Sequence, residues 1–191
     1  MKQKKIIVFM PSIENGGVEK NLFIISDYLY KKFNNLTIIT ASKKAKKKFN
    51  RKIEFFSPSS EIWDKFDRNL KYFISILLLI KKILQNRNII VLSFQANIFA
   101  ILISSIFNTK IVARLNSSPT GWIKNEFKKK LFKKIYSLAN LIIVNSNDLR
   151  RKLLVKFRIK SYCIFNPLDK KNIIKKSKIK LNKSPYKFNN S

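Results

Sequence analysis

The stretch Lys5-Ile6-Ile7-Val8-Phe9-Met10-Pro11-Ser12-Ile13-Glu14-Asn15-Gly16-Gly17-Val18-Glu19-Lys20 decides the fold. It opens on a short apolar run, turns at a proline, and reaches two adjacent glycines ahead of a segment with helical spacing. From Val18 to Phe33 the residues Val18, Leu22, Ile25 and Leu29 share one face, while Glu19, Lys20 and Asp27 fall elsewhere. A buried strand, a glycine-bearing loop and an amphipathic helix make the opening unit of a parallel α/β sheet. The chain has only three glycines, and two of them stand here. Without a Cβ they let the backbone take unusual dihedrals and approach a ligand closely. Amides at a helix N-terminus favour an anion, so a phosphate or diphosphate is the expected ligand. An ordinary strand-to-helix turn accounts for the same spacing. The loop is neither Gly-x-Gly-x-x-Gly nor a Walker A sequence, which excludes both of those fingerprints.

Outward from this stretch, short β-branched runs alternate with segments of helical period. Further strands are expected at Leu36–Thr40, Ile53–Phe56, Asn88–Phe94, Lys110–Leu115, Leu141–Asn145 and Tyr162–Phe165. Several are continuously apolar, as strands covered on both faces are. Helices are expected at Ile62–Gln85, Ile98–Phe107, Trp122–Asn140 and Asn147–Phe157. Ile98–Phe107 is almost wholly apolar and is expected to be buried. In the Trp122–Asn140 helix, Phe127, Leu131 and Ile135 should pack on the sheet and leave the lysines solvated, although such a helix also suits an anionic leaflet. Trp63 and Trp122 are expected to anchor helix starts, and Asp64 and Asp67 to face water. Residues 170–191 are rich in Lys and Asn and read as a basic linker or tail, leaving residues 1–169 as one domain. The most apolar stretches fall well short of the roughly 20 residues that span a bilayer.

Composition narrows the chemistry. There are 41 Lys and Arg against 10 Asp and Glu, a net charge of +31, which attracts polyanions without choosing among them. The same excess is open to a compositional reading, since Lys, Ile, Asn and Phe are all abundant. Histidine is absent, so Ser-His-Asp and Cys-His nucleophile systems are excluded. Cys163 is the only cysteine, is expected to be buried in the last strand, and allows no intrachain disulfide. The cluster Lys43-Lys44-Ala45-Lys46-Lys47-Lys48 reads as a loop that could meet nucleic acid, but no known binding module surrounds it and no specific nucleic acid is expected. The expected compartment is the cytoplasm, with peripheral contact at the inner face of the cell membrane as an open alternative.

Three segments in order carry a family resemblance. The opening stretch through Gly16-Gly17-Val18-Glu19-Lys20 resembles the start of family-4-type retaining glycosyltransferases of the GT-B fold. Ser137-Leu138-Ala139-Asn140-Leu141-Ile142-Ile143-Val144-Asn145-Ser146 is similar to that family's Ala-Asp-x-Ile-Ile-x-x-Ser strand. Ile164-Phe165-Asn166-Pro167-Leu168-Asp169 is similar to its segment leading into the interdomain linker. The resemblance implies an α/β, Rossmann-like parallel sheet flanked by helices, the N-terminal half of a GT-B fold. It implies that Gly16 and Gly17 face the diphosphate of a nucleotide-sugar donor, with no metal or other cofactor. The family's donor-binding lobe carries Glu-x(7)-Glu, which this chain lacks, since Glu54 and Glu61 miss the spacing by one. A second domain is therefore expected to be absent, and a separate C-terminal donor-binding half is the implied partner.

Loops at the carboxyl ends of parallel strands are where ligands bind in such sheets. Gln95, Asn97 and Asn116 lie in two of these loops and can hydrogen-bond sugar hydroxyls, but cannot shuttle protons as His does. Capping and turn roles explain the same residues. Arg114 is the candidate for a phosphate or acidic acceptor group, with a structural salt bridge as its alternative, and Ser146 completes the acceptor-side set. No catalytic residue is assigned. The expected function is the acceptor-side domain of a transferase moving a hexose to a cell-envelope glycan or lipid-linked acceptor. The alternatives are a non-catalytic module for glycan or anionic membrane, and a basic nucleic-acid-binding protein.

Overall fold

The computed structural model describes residues 5–14, 16–121, 123 and 125–178. Seven strands form one sheet: β1 (Lys5–Phe9), β2 (Leu36–Ile39), β3 (Glu54–Phe56), β4 (Ile89–Ser93), β5 (Lys110–Leu115), β6 (Leu141–Val144) and β7 (Tyr162–Cys163). Their spatial order is β3-β2-β1-β4-β5-β6-β7, and every pairing is parallel. The helices are α1 (Gly17–Phe33), α2 (Arg68–Gln85), α3 (Asn97–Ile106), α4 (Glu126–Tyr136), α5 (Asn147–Phe157) and α6 (Lys170–Ser177). The Rossmann-like architecture expected from the sequence is the one found. After β1 the chain moves outward through β2 and β3, returns through α2 to β4, and then moves outward the other way. Right-handed crossovers require this reversal to put α1 on one face and α2 to α5 on the other.

The core divides accordingly. Ile7, Phe9, Leu79, Ile83, Val91, Ile101, Phe132, Leu149 and Leu153 pack on the face of α2 to α5. Val8, Met10, Leu22, Ile38, Phe49 and Phe94 pack on the α1 face. Adjacent strand residues thus enter opposite cores, which is why β1 and β4 are apolar at successive positions.

Several expectations need correction. The helix expected over Ile62–Gln85 is split, with a 3-10 turn at Glu61–Lys65 and α2 starting only at Arg68. Asp67 causes the break: its side chain caps α2 by accepting from the Leu70 amide (3.1 Å). Trp63 therefore sits in the turn, against Phe66, and does not open a helix; Trp122 lies outside the described residues. Asp64 is half-buried and accepts from the Lys44 amide. The lysine cluster is not a loop but a 3-10 helix, Lys43–Lys48, seated on the α1-side core through Ala45. Glu19 is buried despite its place off the apolar face of α1, and Cys163 is half-buried. Within residues 170–178 the chain forms α6, a helix with no sequence period to announce it; residues 179–191 lie outside the described residues.

Two helices bury less than expected. In α3 the residues Ala100, Ile101 and Ile103 face the core, but Phe99, Leu102 and Ile106 face outward, Ile106 at 77% exposure. In α4 the buried ridge is Phe132, Ile135 and Tyr136, so Phe127 (75% exposed) and Leu131 stand among lysines at the surface. Phe73, Leu77 and Leu84 of α2 are also exposed, so the helical layer carries outward apolar stripes. No helix among the described residues is long and apolar enough to cross a membrane.

One electrostatic cluster secures the β3 edge of the sheet. Glu54 of β3 accepts from Lys5 (2.5 Å), Thr37 (2.8 Å) and Lys82 (2.6 Å), tying β1, β2 and α2 together. Burial pushes its carboxyl upward, but these donors outweigh it and hold the pKa at about 2, from 4.5. Because the folded-state value is depressed, the contribution is present above about pH 4.5 and disappears as pH falls toward 2. The side chain is 41% exposed, so after discounting for screening about 1 kcal/mol is expected. Glu54→Gln should lower stability by that amount at neutral pH and flatten its dependence across this acidic window. Urea melts at stepped pH measure both effects, and equal slopes for the two proteins would refute the assignment.

Candidate functional site

The reversal of chain direction lies between β1 and β4, and open α/β sheets bind ligands in the crevice beyond the strand ends at such a point. A cavity of about 640 Å³ occupies that place. Met10, Glu14, Gly16 and Gly17 line it from the β1 side, Phe94, Gln95 and Asn97 from β4, Arg114 and Asn116 from β5, and Arg68 and Tyr136 from the helices. The structure therefore gathers Gly16, Gly17, Gln95, Asn97, Arg114 and Asn116 at one site. Ser146 is not in it: its hydroxyl caps α5 by accepting from the Leu149 amide (3.1 Å).

The glycine loop owes nothing to unusual dihedrals, because no described glycine has positive φ. Gly16 is the N-cap of α1 in an extended conformation (φ −106°, ψ −178°), and having no side chain it supplies no cap of its own. Glycine at this position has an internal cause: a Cβ would stand 2.6 Å from Glu19 Oε2. The Glu19 carboxylate folds back over the loop, where Oε1 accepts from the Glu14 amide (3.3 Å). Gly17 has no such cause, since nothing among the described residues lies within 4 Å of a Cβ built there. Its surface opens into the cavity.

The other loops are held by their own polar groups. Gln95 accepts from the Ser12 amide (3.1 Å), bridging the β1 and β4 loops. Asn97 accepts from Ser93 (2.6 Å) and donates to the Arg114 carbonyl (2.9 Å), so its amide links β4 to β5. Between them Ala96 takes the left-handed conformation (φ 54°), a strain of about 1–2 kcal/mol that sets Gln95 and Asn97 at the mouth of the cavity. Asn116 donates to the Phe94 carbonyl (3.1 Å), while its buried Oδ1 has no partner among the described residues.

Arg114 is 3% exposed and forms no ion pair among the described residues, so the salt-bridge alternative does not hold. Its Nη2 donates to the Ile164 carbonyl (3.2 Å) and Asn166 Oδ1 (2.9 Å), and its Nε has no partner among the described residues. The Phe94 ring lies 5.9 Å away. Burial pulls the guanidinium below its ordinary range, partly opposed by the Cys163 thiol. Burial likewise pushes the Tyr136 hydroxyl up to about 12, against a hydrogen bond with Asn97, so it is a neutral phenol at physiological pH. Glu14, Glu19, Arg68 and Tyr136 were not singled out from the sequence as site residues. Glu14 pairs with Arg68 (3.3 Å) across 54 positions of chain, and no local pattern announces that contact.

Comparison with solved structures places the fold. It is similar to Anabaena Alr3699/HepE, solved with UDP and glucose, at TM-score 0.61 and 14% identity, covering 87% of this chain and 45% of that one. It is similar to a glycosyltransferase from Rickettsia africae at TM-score 0.59 and 18% identity, covering 95% of this chain and 51% of the other. A UDP-glucosyltransferase from Polygonum tinctorium follows at TM-score 0.51 and 14% identity, covering 90% and 55%. The fold is thus the Rossmann-like half of the GT-B glycosyltransferase architecture, and the chain spans about half the length of these proteins. No family model and no curated protein matches the sequence.

Proposed function

We propose that this chain is the acceptor-side lobe of a family-4-type retaining glycosyltransferase, moving a hexose from a nucleotide-sugar to a cell-envelope glycan or lipid-linked acceptor. The observation that carries the reading is the cavity at the β1/β4 reversal, where the start of α1 and the open surface of Gly17 face the polar loops after β4 and β5. A donor diphosphate delivered by a second, C-terminal lobe receives hydrogen bonds from the first amides of α1. Glu14, Gln95 and Asn116 face the hydroxyls of donor sugar or acceptor. The chain supplies orientation and charge stabilisation, not a strong base, and the donor's own phosphate oxygen takes the acceptor proton. This suits a site without histidine. The outward apolar residues Phe127 and Leu131 among the lysines of α4 support peripheral contact with an anionic membrane at its cytoplasmic side.

The test is a titration of the labelled chain with UDP-glucose, followed by amide NMR. Saturable shifts at Gly16 to Glu19, competed by UDP and unaffected by added salt-matched polyanion, are the expected result. Shifts confined to the lysine-rich 43–48 and 128–134 surfaces would instead identify a nonspecific cation. Flotation with vesicles forms the second arm: binding to anionic but not neutral lipid supports the membrane contact, and indifference to lipid charge removes it.

A further inference from the structure

Arg114 presents an unusual balance of charge. Burying a guanidinium is costly unless a carboxylate faces it, and the carboxylates of the same cavity are engaged elsewhere. Glu14 accepts from Arg68 and Ser12, and Glu19 from the Glu14 amide. The tether to Ile164 and Asn166 uses Nη2 alone, so Nε–H and the Nη1 donors have no partner among the described residues. A neutral amide side chain could fasten that segment without a buried charge. In the same cavity Asn116 Oδ1 is a buried acceptor that likewise lacks a donor. One orphaned cation and one orphaned acceptor therefore share one cavity.

Across that cavity the α1 side carries Glu14 and Glu19. The site is polarised, with carboxylates beside the glycine loop and an uncompensated positive group at the end of β5. A ligand seated here gains most when its negative group lies at Arg114 and its hydroxyls lie toward the carboxylates.

We propose that Arg114 and Asn116 form an oxyanion subsite, and that the acceptor served by this lobe carries a phosphate or carboxylate beside a hydroxyl. The oxyanion accepts from the free guanidinium N–H groups, and the neighbouring hydroxyl donates to Asn116 Oδ1. The proposal rests on the acceptor-side reading above but is separable from it, because binding at Arg114 requires neither donor nor transfer.

The experiment titrates the chain with inorganic phosphate, a hexose phosphate, a hexuronate and a neutral methyl hexoside, reading the Arg114 Nε–H and Asn116 side-chain amide resonances. The expected result is a saturable downfield shift of Nε–H with the anionic probes and none with the neutral one, with affinity falling roughly tenfold or more in Arg114→Gln. The stronger of the hexose phosphate and hexuronate responses identifies the anion. Should Arg114→Gln fail to fold, the wild-type Nε–H resonance still decides. An unmoved Nε–H, equal response to the neutral hexoside, or undiminished affinity in a folded Arg114→Gln overturns the subsite. Response at Arg114 without UDP-glucose binding at the glycine loop would sink the donor reading and leave this one standing.

Discussion

Phe9→Ala is expected to lower stability by about 3–5 kcal/mol, the range for truncating a fully buried aromatic residue. Phe9 has no exposed surface and ends the central strand β1, where its ring enters the core shared with α2 and α3. Its backbone is pinned on both sides, in register with Ile39 of β2 and Ser93 of β4. The strand therefore cannot shift to fill the space, and the cavity term persists. For a chain of this size the loss corresponds to roughly 6–20 °C in melting temperature. Calorimetry measures it, with Ile106→Ser as the contrast: Ile106 is apolar but exposed, and a change within about 0.5 kcal/mol is expected there. A Phe9→Ala loss below about 1.5 kcal/mol would mean that the core relaxes more than this register allows.

The contrast between Phe9 and Ile106 also shows what the sequence could reveal. Strand positions were legible nearly to the residue, because a parallel strand buried on both faces is a run of apolar residues bounded by polar ones, and that pattern is local. Helix faces were not. In α4 the ridges Phe127-Leu131-Ile135 and Phe132-Ile135-Tyr136 are both apolar at helical spacing. Which one docks is settled by the positions of α3 and α5, where Phe132 meets Phe157 at 5.1 Å. The split at Asp67 could have been anticipated, since an Asp three residues before Leu70 is an N-cap signal; the continuous apolar period of α2 obscured it.

The candidate site was legible to the extent that it lies on strand ends. Gln95, Asn97, Arg114 and Asn116 follow directly from where β4 and β5 stop. The roles of their polar groups did not follow, because those depend on partners distant in sequence: Asn97 is occupied by Ser93 and Arg114, and Gln95 by Ser12. Glu19 was least accessible to a reading by periodicity. Its carboxylate is buried because it turns back along the helix to the loop, which a helical wheel places on the outer side of the apolar stripe.

Gly17→Glu is expected to move stability and donor binding in opposite directions. An acidic residue in the first turn of a helix complements the dipole by about 0.3–1 kcal/mol, and replacing glycine adds up to about 1 kcal/mol of helix propensity. No described atom lies within 4 Å of the new Cβ, so the folded state meets no clash. The variant should therefore melt at or above the wild-type temperature. If the proposed diphosphate lies at these amides, the added carboxylate repels it. Two unit charges about 4 Å apart repel by about 4 kcal/mol at an intermediate dielectric, and solvent exposure reduces this to a loss of roughly tenfold to a hundredfold in UDP-glucose affinity. Gly17→Ala separates charge from bulk, gaining the propensity and keeping most of the affinity. Gly16→Ala should instead destabilise, because alanine is a poorer N-cap than glycine and its Cβ displaces the end of the Glu19 carboxylate that stands 2.6 Å away. A Gly17→Glu protein that is stable and binds UDP-glucose as well as wild type would place the diphosphate somewhere other than the start of α1.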